Sequence, residues 1–271
     1  KKAEEVGAEL RTVIPDSTVH KGSDWNERIL DSMDKDTAII SVPHVHWTDG
    51  TLFDLPAISQ RAQELGTALV VDGTQSVGAL PFDVTAIRPD VLIVAGYKWL
   101  LGPYSIGVAY FNSRFDEGVP LEETWIGRQG SQDFSGLVDY QELYQPGAVR
   151  YDVGECSNFI LLPMLAAALN LLEQWTPHAI QAYCSDLTDK LVEEVTEFGF
   201  SAEERPHRAG HLLGLTLPKQ LSLESLKKEL DRRKVFVSVR GNSLRVSPNV
   251  YNNQDDIEAL IEALAFTIKG R

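Results

Sequence analysis

The sequence predicts a doubly wound α/β fold with a smaller α+β unit at its C-terminal end. Three observations predict it. Apolar runs suited to buried strands recur at Glu9–Ile14, Thr37–Pro43, Ala68–Asp72, Val91–Tyr97 and Ile106–Phe111. Helix-like stretches lie between several of them, which is the alternation of a mostly parallel sheet. After residue 210 the pattern changes to strand, helix, strand, strand, helix.

Each element has a local reason. Phe53–Gly66 carries helical periodicity, and Gly66 is its C-terminal stop. From Asn112 to Ser157 periodicity breaks, and Gly, Gln, Asp and single aromatics dominate. Long ordered connections of this kind are often functional. Phe159–Trp175 places Leu161, Leu162, Leu165, Ala168, Leu169 and Leu172 at helical spacing, and a second helix follows over Pro177–Phe198. The tail reads strand (His211–Leu217), helix (Ser222–Lys234), strands (Val235–Arg240 and Leu244–Ser247) and helix (Gln254–Lys269). The expected domains are 1–160, a large α/β domain, and 161–271, a connecting helix with a small α+β domain. Lys1–Leu10 reads as the tail of a charged helix running into a strand, as though the chain starts inside a domain.

Composition excludes several classes. The 271 residues are 43% hydrophobic and 24% charged, as in an ordinary globular protein. Net charge is −14, from 39 acidic and 25 basic residues, which argues against nucleic acid or an anionic membrane as partner. No apolar stretch approaches the roughly 20 residues of a membrane span. Cys156 and Cys184 are the only cysteines, too few for a disulfide framework. A cytoplasmic setting is the expectation. His44 and His46, two residues apart on a strand end, point to opposite faces, so no metal site is expected.

The chemistry concentrates at two strand ends. Val91–Ala95 runs into Gly96-Tyr97-Lys98-Trp99-Leu100, and Leu69-Val70-Val71 ends in Asp72-Gly73-Thr74-Gln75. In open α/β sheets ligands bind outside the carboxyl ends of the strands. A Lys and an Asp that look buried there are costly without partners. Taken singly, Asp72 reads as a loop cap and Lys98 as a surface lysine. Together they supply what pyridoxal 5'-phosphate (PLP) needs. The lysine amine forms a Schiff base with the cofactor aldehyde, and the carboxylate pairs with the protonated pyridine nitrogen. Gln75 lies three residues beyond Asp72, and its amide suits the cofactor's phenolate oxygen. Arg245 also stands by itself: a guanidinium binds a planar carboxylate with two parallel hydrogen bonds. Its plainer reading is an ion pair with Asp255 or Asp256.

Val71-Asp72-Gly73-Thr74-Gln75-Ser76-Val77-Gly78-Ala79 and Gly96-Tyr97-Lys98-Trp99-Leu100 resemble the class V aminotransferase group of fold-type I PLP enzymes. The group includes cysteine desulfurases, kynureninases and isopenicillin N epimerase-like proteins. Val42–Gly50 resembles the loop beside the cofactor ring. Leu244-Arg245-Val246-Ser247-Pro248-Asn249-Val250-Tyr251-Asn252 resembles the motif whose arginine binds the substrate carboxylate. The resemblance implies Lys98 and Asp72 as catalytic residues. It implies cofactor contacts from Gln75, Tyr97, Trp47 and Trp125, and a substrate contact from Arg245. It further implies an amino acid or amine substrate and a homodimer. Trp47 stands where many members have Asn; kynureninases carry an aromatic there and a Tyr before the lysine, as Tyr97 is. Tyr97 offers a hydroxyl to the phosphate. Trp125 is either a second phosphate contact or a buried loop aromatic. Arg150 and Gly154-Glu155-Cys156-Ser157-Asn158 resemble the family's dimer-contact loop, with Glu155 replacing the usual Thr.

The family's N-terminal segment carries a turn for the cofactor phosphate and a residue that stacks on the ring. No counterpart precedes Lys1, so the chain is expected to lack part of the PLP site and to bind the cofactor weakly alone. Aminotransfer is the expected reaction, since it needs only the parts named. A kynureninase-like lyase is supported by Trp47 and Tyr97, although kynureninases tend to have His at Gln75. Desulfuration needs a nucleophilic Cys in the C-terminal part, and none follows Cys184. An epimerase needs a second acid/base across the α-carbon, which the sequence does not reveal. A non-catalytic module that keeps the fold but not the cofactor is the remaining alternative.

Overall fold

Short β-branched runs flanked by Gly, Pro and Asp set the positions of the strands in the computed structural model, which describes residues 1–16 and 21–269. In chain order the first elements are α1 (Lys2–Glu5), α2 (Lys21–Ser32), β1 (Ile39–Pro43), α3 (Leu55–Leu65), β2 (Ala68–Asp72), α4 (Val84–Ile87), β3 (Val91–Ala95) and β4 (Gly107–Phe111). There follow α5 (Leu161–Trp175), α6 (Pro177–Thr196), β5 (Leu213–Thr216), α7 (Leu223–Arg233), β6 (Ser238–Arg240), β7 (Ser243–Val246) and α8 (Gln254–Lys269). The chain divides into two compact units. One comprises residues 38–44 and 67–180, the other 1–37, 45–66 and 181–271.

The 38–44/67–180 unit holds a four-stranded sheet in the order β1-β2-β3-β4. Strands β1, β2 and β3 are parallel, with Pro43 opposite Asp72 and Asp72 opposite Ile93. Val71, Val91, Leu92 and Val94 are buried. Strand β4 was expected to be a buried parallel strand; it runs antiparallel to β3 and is mostly exposed. The reason is the length of the connection. A parallel return needs a crossover of a dozen or more residues, usually a helix, and residues 96–106 form only turns. The irregular segment 112–157 is as expected, with two short 3₁₀ turns.

In the other unit the three-stranded antiparallel sheet β5-β7-β6 backs onto α6, α7 and α8. Leu213, Leu215, Leu226, Leu244, Leu260 and Leu264 form the centre of this core, each 2% exposed or less. Burying a side chain of this size contributes about 1.5–3 kcal/mol. Helix α3 is delimited as its sequence dictates: the Asp54 carboxylate caps Ala57 N–H at 3.0 Å, and Gly66 closes it in the left-handed region.

The expected strand Glu9–Ile14 does not form. These residues are exposed except Val13 and join no ladder among the described residues. An apolar run becomes a strand only where its N–H and C=O groups find a partner. Arg11 instead pairs with Asp34 at 3.0 Å. No helix among the described residues is long and apolar enough to cross a membrane.

Candidate active site

Two loops at the carboxyl end of the parallel sheet carry the residues singled out above. One follows β2 (Asp72–Leu80), the other follows β3 (Gly96–Gly102). They are tied together at three points. Thr74 Oγ1 accepts the Ala95 N–H at 3.1 Å, and Gln75 Oε1 accepts the Trp99 indole N–H at 3.1 Å. The third tie is steric. Gly78 has φ +104°, and a Cβ there would lie 2.3 Å from the Trp99 carbonyl oxygen. Only glycine allows that approach without strain.

The β3 loop is closed on itself. Gly102 N–H donates to the Gly96 carbonyl at 2.8 Å, and Leu101 N–H donates to Lys98 at 3.0 Å. Leu101 has φ +56°. Lys98 sits in this turn, half-buried, with Nζ 5.7 Å from the Tyr97 ring centre. The Tyr97 ring stacks on Tyr104 at 4.3 Å and is 39% exposed.

Asp72 is exposed, not buried as its apolar approach suggests. It is the last residue of β2, so its side chain leaves the sheet at the strand end. One carboxylate oxygen accepts the Thr74 N–H at 2.9 Å, which fixes the side chain over the loop. Gln75 is buried. The set carries the groups a PLP site uses: an amine, a carboxylate and an amide on two mutually braced loops, with Gly73 packed against Leu92 and Val77 and Gly96 against the Ile106 carbonyl, where a Cβ would collide at 2.8 Å or less.

Trp47 and Arg245 belong to the other unit. The Arg245 Nη1 donates to the Trp47 carbonyl at 2.9 Å, and its buried Nε has no hydrogen-bond partner among the described residues. The expected plainer pairing with Asp255 or Asp256 does not occur: Asp256 caps Asn253 N–H at 3.1 Å, and Arg245 joins no ion pair among the described residues. Burial, reinforced by the neighbouring Arg240 guanidinium, pulls Arg245 below its ordinary value. Trp47 is half-exposed, with the Arg240 guanidinium 6.0 Å from its ring centre.

Beside Trp47 lies a polar cluster that no local sequence pattern marks. Asp49 accepts from Thr51 Oγ1 at 2.8 Å, contacts His46 Nδ1 at 3.2 Å and pairs with Lys21. Burial alone would raise this carboxyl. Hydrogen bonds and positive charge from His46 and Lys21 outweigh it and hold Asp49 well below the usual carboxylate range.

Trp125 is 42% exposed and meets Phe134 edge-on, so it is not the buried aromatic of its plainer reading. It lines a cavity of about 400 Å³ with Arg128, Ser131, Asp133, Leu137 and Tyr140, all from the irregular segment. Lys98, Asp72 and Gln75 do not line it. Arg150, expected to face a partner, is buried; it donates to Gln145 and Gly118 carbonyls at 3.1 and 2.9 Å and so staples the segment internally. No group of three His, Cys, Asp or Glu among the described residues could hold a metal ion.

Residues 2–260 match the profile of the family Aminotransferase class-V. The chain belongs to that family. It is 28% identical over 231 residues to the uncharacterized aminotransferase YcbU of Bacillus subtilis, covering 85% of this chain and 60% of YcbU. It is 25% identical over 276 residues to isopenicillin N epimerase of Streptomyces clavuligerus, covering 95% of this chain and 67% of that protein. The chain thus spans about two thirds or less of these relatives. The cysteine desulfurase CsdA of Escherichia coli superposes with a TM-score of 0.81 at 18% identity, over 98% of this chain and 67% of that structure. The fold is therefore that of fold-type I, and the class V relatives are pyridoxal phosphate enzymes.

Proposed function

We propose that this chain forms part of a PLP-dependent enzyme that acts on an amino acid or amine, with aminotransfer as its reaction. The observation that carries this reading is the bracing of the Lys98 and Asp72 loops through Gln75–Trp99, Thr74–Ala95 and Gly78. Lys98 would hold the cofactor through its side-chain amine. Asp72 would place a negative charge at the ring nitrogen, and Gln75 would contact the phenolate oxygen. Tyr97 would contact the phosphate, Trp125 would reach the phosphate held in the neighbouring subunit, and Trp47 would lie against the ring. When bound, the cofactor supplies an electron sink for charge that develops at the substrate's α-carbon. Arg245 grips the substrate carboxylate; the unpartnered Nε supports this, because a buried donor gains most from a charged acceptor. The Lys98 amine would remove and return the substrate's α-proton as general acid/base.

Cys184 speaks against desulfuration as the reaction. It is fully buried, and burial pushes its thiol up to about 11, which leaves almost no thiolate nucleophile at neutral pH. A homodimer is the proposed assembly. Leu162 and Leu169 on one side of α5, and Met164 and Leu171 on the other, are all exposed, apolar surface of the kind that subunits cover.

Adding PLP to the purified protein should produce visible absorption that Lys98→Ala lacks. The loaded protein should convert an amino acid to its 2-oxo acid while aminating a second 2-oxo acid. Absence of the absorption would leave the non-catalytic reading. Carbon–carbon cleavage without amino transfer would establish the kynureninase-like one.

A further inference from the structure

A hairpin of alternating residues sorts its two faces sharply. Arg240 lies opposite Ser243, and Ser238 lies opposite Arg245. In a pleated pair, residues two apart and their cross-strand partners share one face. Arg240, Ser238, Ser243 and Arg245 therefore share a polar face, while Val239, Leu244 and Val246 point to the core. Gly214 lies opposite Arg245 on the third strand, and a Cβ there would collide with Asp49 at 2.6 Å. The loop that carries Trp47 thus packs over the same face.

Both arginines engage Trp47, from different sides. Arg245 donates to its carbonyl, and Arg240 stands over its ring. The other contact of Arg240 is the Val239 carbonyl at 3.0 Å. None of these neighbours carries a negative charge, and neither arginine joins an ion pair among the described residues. That is unexpected in a chain with 39 acidic residues against 25 basic ones. Two like charges on one face cost free energy unless an anion joins them. One planar carboxylate is satisfied by one guanidinium fork. The second guanidinium is surplus to an ordinary α-amino acid.

We propose that Arg240 is a specificity residue and that the substrate is an amino acid with a second acidic group on its side chain. The α-carboxylate occupies Arg245, and the side-chain carboxylate occupies Arg240, over the Trp47 ring. The assignment of substrate class rests on the reading of Arg245 given above. The two-arginine anion site stands on its own geometry.

The test separates the two. Succinate and glutarate cannot enter amino transfer, so their binding reads the anion site alone. Calorimetric titration of the protein with each, and with the corresponding monoamide of nearly the same shape, should show the dianion bound about ten-fold or more tightly, the worth of one charge-assisted hydrogen bond. Arg240→Ala should bring the dianion down to the level of the monoamide and leave the monoamide unchanged. Arg240→Lys should keep part of the preference. Arg245→Ala should weaken both ligands. Equal binding of dianion and monoamide to the unaltered protein, or no binding of either, overturns the proposal. So does an Arg240→Ala protein that loses both ligands equally, because Arg240 would then only support Arg245. Dianion preference in a protein that gains no visible absorption with PLP would retain the anion site and reject the enzymatic reading.

Discussion

Asp49 shows how one side chain holds a loop beside a site. Its carboxylate is fixed by Lys21, His46 and Thr51, and it is ionised well below the usual range. A carboxyl with a depressed folded pKa adds stability above its unfolded pKa and loses it as pH falls through the folded one. The Asp49 contribution is therefore whole at neutral pH and decays only below about pH 4, the ordinary Asp range. Asp49→Asn should cost roughly 2–3 kcal/mol at pH 7, less than a fully buried pair because solvent reaches both partners. The cost should shrink in strong acid. Denaturant midpoints measured for both proteins across that range check it; a constant difference would mean the charge is not what stabilises the loop. Asp72 presents a different case, since it sits exposed at a strand end. Asp72→Ala should leave the fold intact and remove most turnover, with Asp72→Glu keeping some. Near-normal turnover in Asp72→Ala would show that the ring nitrogen has no need of this carboxylate. Of the proposed site residues, Lys98, Asp72, Gln75 and Arg245 are legible as candidates because each is a polar residue closing or interrupting an apolar run. Trp99, Thr74 and Arg240 are not, because their contacts come from cross-loop or cross-strand neighbours that no local pattern reveals.

Elements were legible where periodicity and punctuation agreed. Helix α3 has Asp54 before it and Gly66 after it, and its ends fall where those residues put them. Helix α2 was missed, although Trp25, Ile29 and Met33 recur every four residues and the last two are buried. The stretch is so polar that its apolar stripe, one residue wide, gives no clear helical pattern. The direction of β4 could not be read from its composition; it follows from a connection too short for a crossover. The tie between the β2 and β3 loops makes its own prediction. Gly78→Ala places a methyl against the Trp99 carbonyl in a backbone conformation that disfavours side chains. It should destabilise by about 2 kcal/mol or more and weaken PLP binding as the Lys98 loop shifts. Unchanged melting and unchanged cofactor affinity would show that the two loops move independently.

For the molecule as a whole, an acidic chain places Arg240 and Arg245 on one face with no ion pair among the described residues, and leaves several apolar residues of α5 exposed. The first feature is proposed as a substrate site and the second as a subunit contact. Sedimentation of the protein should give a dimer at micromolar concentration, and Leu169→Asp on α5 should shift it toward monomer. A monomer that turns over as fast as the unaltered protein would reject the assembly. The central claim is more local, that Lys98 is the residue that holds PLP. Borohydride reduction of the PLP-treated protein, followed by peptide mapping, tests it most directly. A pyridoxyl label on the peptide that contains Lys98, and on no other lysine, is the predicted result; a label elsewhere, or none, would contradict it.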